Sequence, residues 1–256
     1  MAESASAQAI AYHSITIGDK NTWDDWHLVP TSRPKFNMPP VKTQYIDIPG
    51  SDGILDLTTA LTGRPMYGNR QGSFEFLVIN DYGNWYDRYS EIASYLHGRS
   101  FRAVLNDDPL YYYEGRFSVN EWKSERDWSR IVIDYNVGPY KLTTLSPGER
   151  WLWDPFRFEG APTGRGSIIQ SYKNIMVNGA TEIDYIGDAY ESSFVINVLP
   201  RVSGEEPSVT LTYNGKSYLL KKGTQTLTAV KMQEGNNHLK FTGRGIITIE
   251  NTGGRL

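Results

Sequence analysis

The chain contains no cysteine, which excludes a disulfide scaffold and any thiolate metal site. Histidine is scarce as well. His13, His27, His97 and His238 are the only four, and none falls in His-Glu-x-x-His or any other paired metal spacing. No apolar run approaches the roughly 20 residues that a membrane-crossing helix needs. A strong excess of one charge is also missing. The net charge is −3 and the pI about 5.9. The stretch up to Leu142 holds 14 basic and 18 acidic residues, and the remainder 12 and 11. Phosphate binding needs a basic face, so nucleic acid is excluded as a partner. The opening "MAESASAQAIAY" has neither a positive n-region nor an apolar h-region, so it does not read as a signal peptide. The expectation is a protein that folds in a reducing cytoplasm without inserting into a membrane.

What is present points to β structure. The 256 residues include 17 Tyr, 9 Phe and 7 Trp with 24 Gly and 13 Pro. That balance, with little Ala-Leu-Glu-Lys patterning, favours a mainly β fold over a helical one. "YHSITIG" alternates as a strand, "DKNT" turns, and "WDDWHLVP" runs extended to Pro30. "TSRPKFNMPP" carries Pro34, Pro39 and Pro40 and reads as an extended strap. "TQYIDIPG" gives a second strand and "GSFEFLVI" a third, with Phe74, Phe76 and Val78 on one face.

The spacing predicts one helix, over about 85–97. Asn84 can cap it, Asp87 sits in its first turn and Gly98 supplies the left-handed stop. Trp85, Tyr89, Ile92, Ala93 and Leu96 form one apolar stripe. "FRAVL", "LYYYEGRFSV" and "SRIVIDYNV" supply the antiparallel sheet it covers, the last two joined around "SERD". Residues 1–142 therefore read as one β domain with one covering α-helix. Residues 143–165 lack a period and read as a connector, with Trp151, Trp153, Phe156 and Phe158 fitting either inter-domain pegs or a sugar platform. From 166 to 256 short strands return: "KNIMVNG", "SSFVINVL", "SVTLTYNGKSYLLKKG", "TLTAV" and "NHLKFTGRGIITIEN". Asn214-Gly215 is a strong hairpin signal, and "TGRG" at 242–245 reads as a second link between strands. This spacing suggests a β-sandwich.

The search for chemistry finds no assembled catalytic, cofactor or metal site. Asp24, Asp25 and His27 could hold a cation, but a polar strand edge explains them as well. Ser51 lacks the two glycines of a nucleophile elbow. "GKS" at 215–217 lies in a hairpin rather than a strand-to-helix loop. Asp107 and Asp108 are neighbours before Pro109, where carboxylates usually serve local amides or water rather than face one another across a sugar. After that turn come Tyr111, Tyr112 and Tyr113. In a strand Tyr111 and Tyr113 share a face with Phe117, and Tyr112 points to the other. The run is either an ordinary two-sided core strand or an interface.

The order of "TQYIDIPGSDGILDLTTALTGRPMYGNRQGSFEFLV", "LHGRSFRAVLNDDPLYYYEGRFSV" and "IVIDYNVGPYKL" resembles the distal tail proteins of siphophages and related prophage tails. "ITIGDKNTWDDWHLVP" fits the first strands of that family. "EGNNHLKFTGRGIITIENTGGRL", with its Gly-x-Asn-x-Leu and Phe-x-Gly-x-Gly patterns, suits the family's galectin-like β-sandwich.

The resemblance implies a structural protein of the virion tail tip, assembled in the bacterial host cytoplasm, and no enzyme. It implies a homohexamer whose amino-terminal domains form a ring under the tail tube protein. A tail-associated hub or lysin protein docks on the other face, and receptor-binding proteins are further candidates for partners. Tyr111, Tyr112, Tyr113, Pro39 and Pro40 are then the expected interface residues, and Trp151, Trp153 and Phe156 the inter-domain packing. The alternative is a carbohydrate-binding β-sandwich module, whose platform would draw on Tyr213 and Tyr218.

Overall fold

The structure, a computed structural model, describes residues 13–78, 85–124, 129–143 and 172–256. They divide into two compact units, one extending to Lys141 and one from Leu142 to Arg255.

The first unit begins with a tight hairpin, β1 (Ile15–Ile17) and β2 (Lys20–Asn21), turned at Gly18 with φ +67°. The chain between Asn21 and Leu28 is not extended, contrary to the sequence expectation for "WDDWHLVP". It winds into a helical turn, with Asp25 N–H donating to the Asn21 carbonyl and His27 N–H to that of Trp23. The cause is local. The Asn21 side-chain oxygen accepts from the amides of Trp23 (2.8 Å) and Asp24 (3.2 Å), and the Asp25 carboxylate accepts from Asn21 N–H at 2.7 Å. Such side chains offer the backbone an alternative to a ladder. Only β3 (Leu28–Pro30) is strand.

Four short strands follow: β4 (Val41–Lys42), β5 (Tyr45–Asp47), β6 (Ile54–Asp56) and β7 (Met66–Tyr67). Then come β8 (Arg70–Val78), α1 (Trp85–Leu96), β9 (Arg99–Leu105), β10 (Tyr111–Ser124), β11 (Ser129–Val137) and the short β12 (Lys141–Thr143). The main sheet runs β2-β1-β9-β10-β11-β8-β3, and its pairs along that path are antiparallel. Its two ends, β2 and β3, are joined by the helical turn of residues 22–27. A flat sheet of this order would separate those ends by about 29 Å at ~4.8 Å per strand. A coiled six-residue link falls well short of that span, so the sheet has to curl. The curl encloses Ile15, Trp26, Leu28, Phe76, Phe117 and Ile131, all fully buried.

The helix answers the sequence expectation. Trp85, Ile92 and Leu96 are buried and Tyr89 and Ala93 pack against the same core. Gly98 follows at φ +74°, its amide donating to the Phe117 carbonyl. Burying each of the three large side chains contributes about 1.5–3 kcal/mol. Trp122 of β10 receives Tyr89 at 4.9 Å and Trp85 at 6.3 Å between ring centroids. The expected cap Asn84 and residues 125–127 of the "SERD" turn lie outside the described residues.

The second unit is a curled six-stranded sheet consistent with a β-sandwich. It comprises β13 (Ile175–Gly187), β14 (Ser193–Leu199), β15 (Ser208–Tyr213), β16 (Lys216–Leu220), β17 (Gly223–Lys231) and β18 (Gly235–Ile249). Asn214 and Gly215, at φ 48° and 73°, form the expected two-residue turn between Tyr213 and Lys216. β13 runs on past the expected "KNIMVNG" through Gly187, paired along its whole length with β18.

The "TGRG" link is a correction. Residues 242–245 do not turn; they lie inside β18, where its pairing passes from β15 (up to Arg244) to β14 (from Ile246). Gly243 takes φ +118°, and a Cβ there would fall 1.7 Å from the Ser208 carbonyl oxygen. At Gly245 it would meet Val209 Cγ2 at 2.7 Å. The glycines let one strand serve two partners in succession.

Candidate functional site

The tyrosine run lies at the start of β10, after a turn in which Asp108 N–H donates to the Leu105 carbonyl and Tyr111 N–H to the Asp108 carbonyl. Alternation distributes the three rings as expected. Tyr113 is a core residue: Phe36 of the strap stacks on it with ring centroids 3.9 Å apart, and the Arg70 guanidinium lies 5.5 Å from its ring centre. Tyr112, on the other face, is buried under Arg102 at 4.7 Å, and Arg102 also pairs with Glu114. Tyr111 is half-buried with Lys141 Nζ 4.4 Å from its ring centre. The three therefore do not make one platform.

The two carboxylates beside them bind cationic side chains from distant parts of the chain. Asp107 accepts from Arg33 Nε at 2.5 Å and lies 3.0 Å from His13 Nδ1. Asp108 pairs with Lys141 Nζ at 2.6 Å. Burial alone would raise the Asp107 pKa, but the hydrogen bonds from Arg33 and His13 outweigh it and hold the carboxyl below its ordinary value. The turn thus gathers the chain at 13, 33 and 141, and each carboxylate has its own cation.

The strap is extended as its prolines require. Pro39 is buried and Pro40 exposed, and the Pro40 carbonyl accepts from Gly68 N–H at 2.8 Å. Asn37 N–H donates to Tyr135 Oη at 2.9 Å, and Asn37 Nδ2 to the Gln71 carbonyl at 2.9 Å. Gly72 makes this approach possible, since a Cβ there would come within 2.5 Å of both groups.

Beyond the strap the chain leaves the sheet. β4 pairs with β7 and β5 with β6, so residues 41–67 form a two-stranded arm turned around Gly50 and Gly53, both at φ +83°. Every residue from Val41 to Asp56 is exposed. The arm and its root present Met38 (71% exposed), Tyr45, Ile46, Ile48, Ile54 (67%) and Leu61 (99%) to solvent. A two-stranded ribbon is marginal in water unless something covers it, and its exposed apolar side chains make it a candidate contact surface. Sequence reading gives "TQYIDIPG" only as a second strand and so misses the arm. The signal was there: two short alternating runs, "YIDI" and "ILDL", flank "PGSDG".

The remaining candidates separate. Asp25 is engaged by Asn21 N–H and Lys20 Nζ, while His27 stands edge-on to Trp23 at 6.1 Å, and no metal-binding group of His, Asp and Glu occurs among the described residues. In the second unit Tyr213 is buried, donating to Asn237 Oδ1 at 2.8 Å, and Tyr218 packs against the core. Asn237, centre of the Gly-x-Asn-x-Leu pattern, also donates to the carbonyls of Tyr185, Gln233 and Gly235. A polar depression lined by Arg201, Arg244, Glu205 and Glu206 balances its own charges. Trp151, Trp153 and Phe156 lie outside the described residues.

No family model and no curated protein matches the sequence. Among solved structures, the crystal structure of the SPP1 Dit (gp 19.1) protein, titled a paradigm of the hub adsorption apparatus in phages that infect Gram-positive bacteria, is similar. The TM-score is 0.60 at 12% identity, over 95% of this chain and 99% of that one. The chain has the fold of this hub adsorption protein, across both of its β units.

Proposed function

We propose that this protein is a structural component of a phage tail tip, a distal tail protein that forms a hexameric ring between the tail tube protein and a tail-associated hub protein. The observation that carries this reading is the likeness to SPP1 Dit over nearly the whole of both chains. A shared domain alone would cover only part of each. The ordered segments that resemble the distal tail family point the same way independently of the coordinates. In this reading the second unit is the family's galectin-like sandwich, and the protein is structural rather than enzymatic. Receptor-binding proteins are further candidate partners, and the place of action is the virion tail tip after assembly in the host cytoplasm.

The arm supports self-association. It carries apolar surface on a ribbon that the described residues leave uncovered, and a closed ring of identical subunits is the usual way to cover such a surface without open-ended growth. The carbohydrate-binding alternative loses ground in the second unit, where Tyr213 and Tyr218 both belong to or pack on the core.

The test is mass in solution. Light scattering of the purified protein, alone and with a tail tube protein, should give a hexamer. A variant with residues 41–67 replaced by a short Gly-Ser link should remain folded and monomeric. Monomer alone for the intact chain at high concentration, with and without a tube partner, would defeat the ring.

A further inference from the structure

Arg70 is a charged residue almost wholly out of solvent, at 2% exposure. It opens β8, directly after the arm returns to the sheet. Buried arginines normally have a carboxylate partner. Among the described residues no carboxylate pairs with this one, and Nη2 has no hydrogen-bond partner. Its other donors go to backbone. Nη1 donates to the Asn37 carbonyl at 2.8 Å, and Nε donates to the Pro139 carbonyl at 2.9 Å. Met38 Sδ lies 3.9 Å from Nη1, and the Tyr113 ring lies beneath the guanidinium.

These contacts have one thing in common. Asn37 and Met38 are where the strap leaves the sheet to become the arm, and Arg70 is where the arm returns. Pro139 belongs to the segment after β11, which holds the same corner from the other side. Around it, Gly68 N–H meets the Pro40 carbonyl, Asn69 Nδ2 meets Asn136 Oδ1 at 2.8 Å, and Tyr67 stands edge-on to Tyr140 at 6.1 Å. A planar guanidinium with two donors fixed at an angle holds two backbone segments in one orientation, which neither lysine nor an apolar side chain can do.

We propose that Arg70 is a positioning residue for the arm: its guanidinium clamps the outgoing strap at Asn37 and the 139 segment together, and so sets the direction in which residues 41–67 leave the sheet. A buried ion with carbonyl acceptors and no counter-charge contributes little to net stability. What it supplies is a fixed geometry. This deepens the reading of the arm as the ring contact, and rests on that reading for its consequence but not for its geometry.

The experiment compares Arg70→Met, of similar length and no charge, with the intact chain by amide hydrogen exchange, urea denaturation and light scattering. The urea midpoint should stay within error or rise. Exchange of the Asn37 and Gly68 amides should quicken by ten-fold or more, with β9 and β10 unchanged, and assembly should need about ten-fold more protein. Unchanged exchange at Asn37 and Gly68, or exchange quickened throughout β8–β11 with a lower urea midpoint, overturns the clamp. If Arg70→Met does not fold, Arg70→Gln, which keeps one amide donor, takes its place. Failure of both to fold assigns Arg70 to the core alone and likewise overturns it. A looser root together with normal assembly of the arm-deleted variant would leave the clamp standing and remove the ring reading instead.

Discussion

Phe36 and Tyr113 lie ring on ring, 3.9 Å between centroids at an interplanar angle of 29°, although one belongs to the proline strap and the other to β10. Phe36 also meets Phe74 at 5.1 Å and Tyr135 at 4.7 Å. The strap is thus pinned to the main core by one aromatic side chain. We expect Phe36→Ala and Tyr113→Ala each to cost about 3–5 kcal/mol in urea unfolding. The double variant should cost less than the sum, by about 0.5–1.5 kcal/mol, the coupling of an aromatic pair. Strict additivity would mean that the stack contributes nothing of its own. Tyr112→Ala, on the opposite face, should cost less than Tyr113→Ala.

The ion pairs at the Asp107 turn predict a pH dependence. The folded-state pKa of Asp107 is below its ordinary value, so its contribution is present above about pH 4 and is lost as pH falls through the depressed value. Asp107→Asn should remove this acid-side slope and lower stability by about 1–2 kcal/mol at neutral pH. No sugar release from cell walls should accompany either form. Release that disappears in Asp107→Asn would reverse the structural reading.

Asn237 fills its hydrogen-bonding capacity in the buried end of the second unit, and it does so with both atoms of its amide. Three carbonyls accept from its nitrogen, while Tyr213 Oη–H and Gln233 N–H donate to its oxygen. Asn237→Asp keeps the shape and sets a carboxylate oxygen against carbonyls. We expect a loss of about 2 kcal/mol or more, by thermal or urea unfolding, relieved at low pH where the acid is protonated.

Gly243 and Gly179 form a matched pair for backbone and packing effects. Both have positive φ and face one another in the β13–β18 ladder, but only at Gly243 would a Cβ strike backbone. Gly179→Ala should cost about 1–2 kcal/mol from the left-handed backbone. Gly243→Ala should cost about 3 kcal/mol or more, because Ser208 must move. Equal costs would show that the close approach is relaxed in solution.

Which parts of this fold were legible in the sequence follows from the range of the interactions that fix them. The stripe from Trp85 to Leu96, the Phe74–Phe76–Val78 alternation and the Asn214-Gly215 turn are set by neighbours a few residues away, and each is where the pattern places it. The turn at Trp23–Trp26 depends on whether Asn21 bonds its own backbone or a ladder, which alternation does not encode. "TGRG" carries two glycines for a reason that lies about 35 residues upstream at Ser208 and Val209, and a pattern reading makes them a turn. The alternating runs of the arm look like those of any sheet strand; only the structure shows that they stand exposed, with none of the other described residues covering them. Arg70 shows no signal at all, because its acceptors are carbonyls and any residue supplies those. Asp107 was legible as a turn residue but not as an ion-pair hub.

β18 has a consequence for how the second unit comes into being. It is bonded to β13, β14 and β15, yet it is the last of the long strands to leave the ribosome. Until it emerges, β13 has no partner among the described strands, and the β15–β16 hairpin and the longer-range β14–β17 pair have no strand bonded to both. Its pairing with β13 runs from Ile175–Ile247 to Gly187–Gly235, a long-range closure of the kind that slows folding. The nascent second unit therefore spends its synthesis with open strand edges, and completes its sheet in a single late step while the first unit, made earlier, is already able to fold.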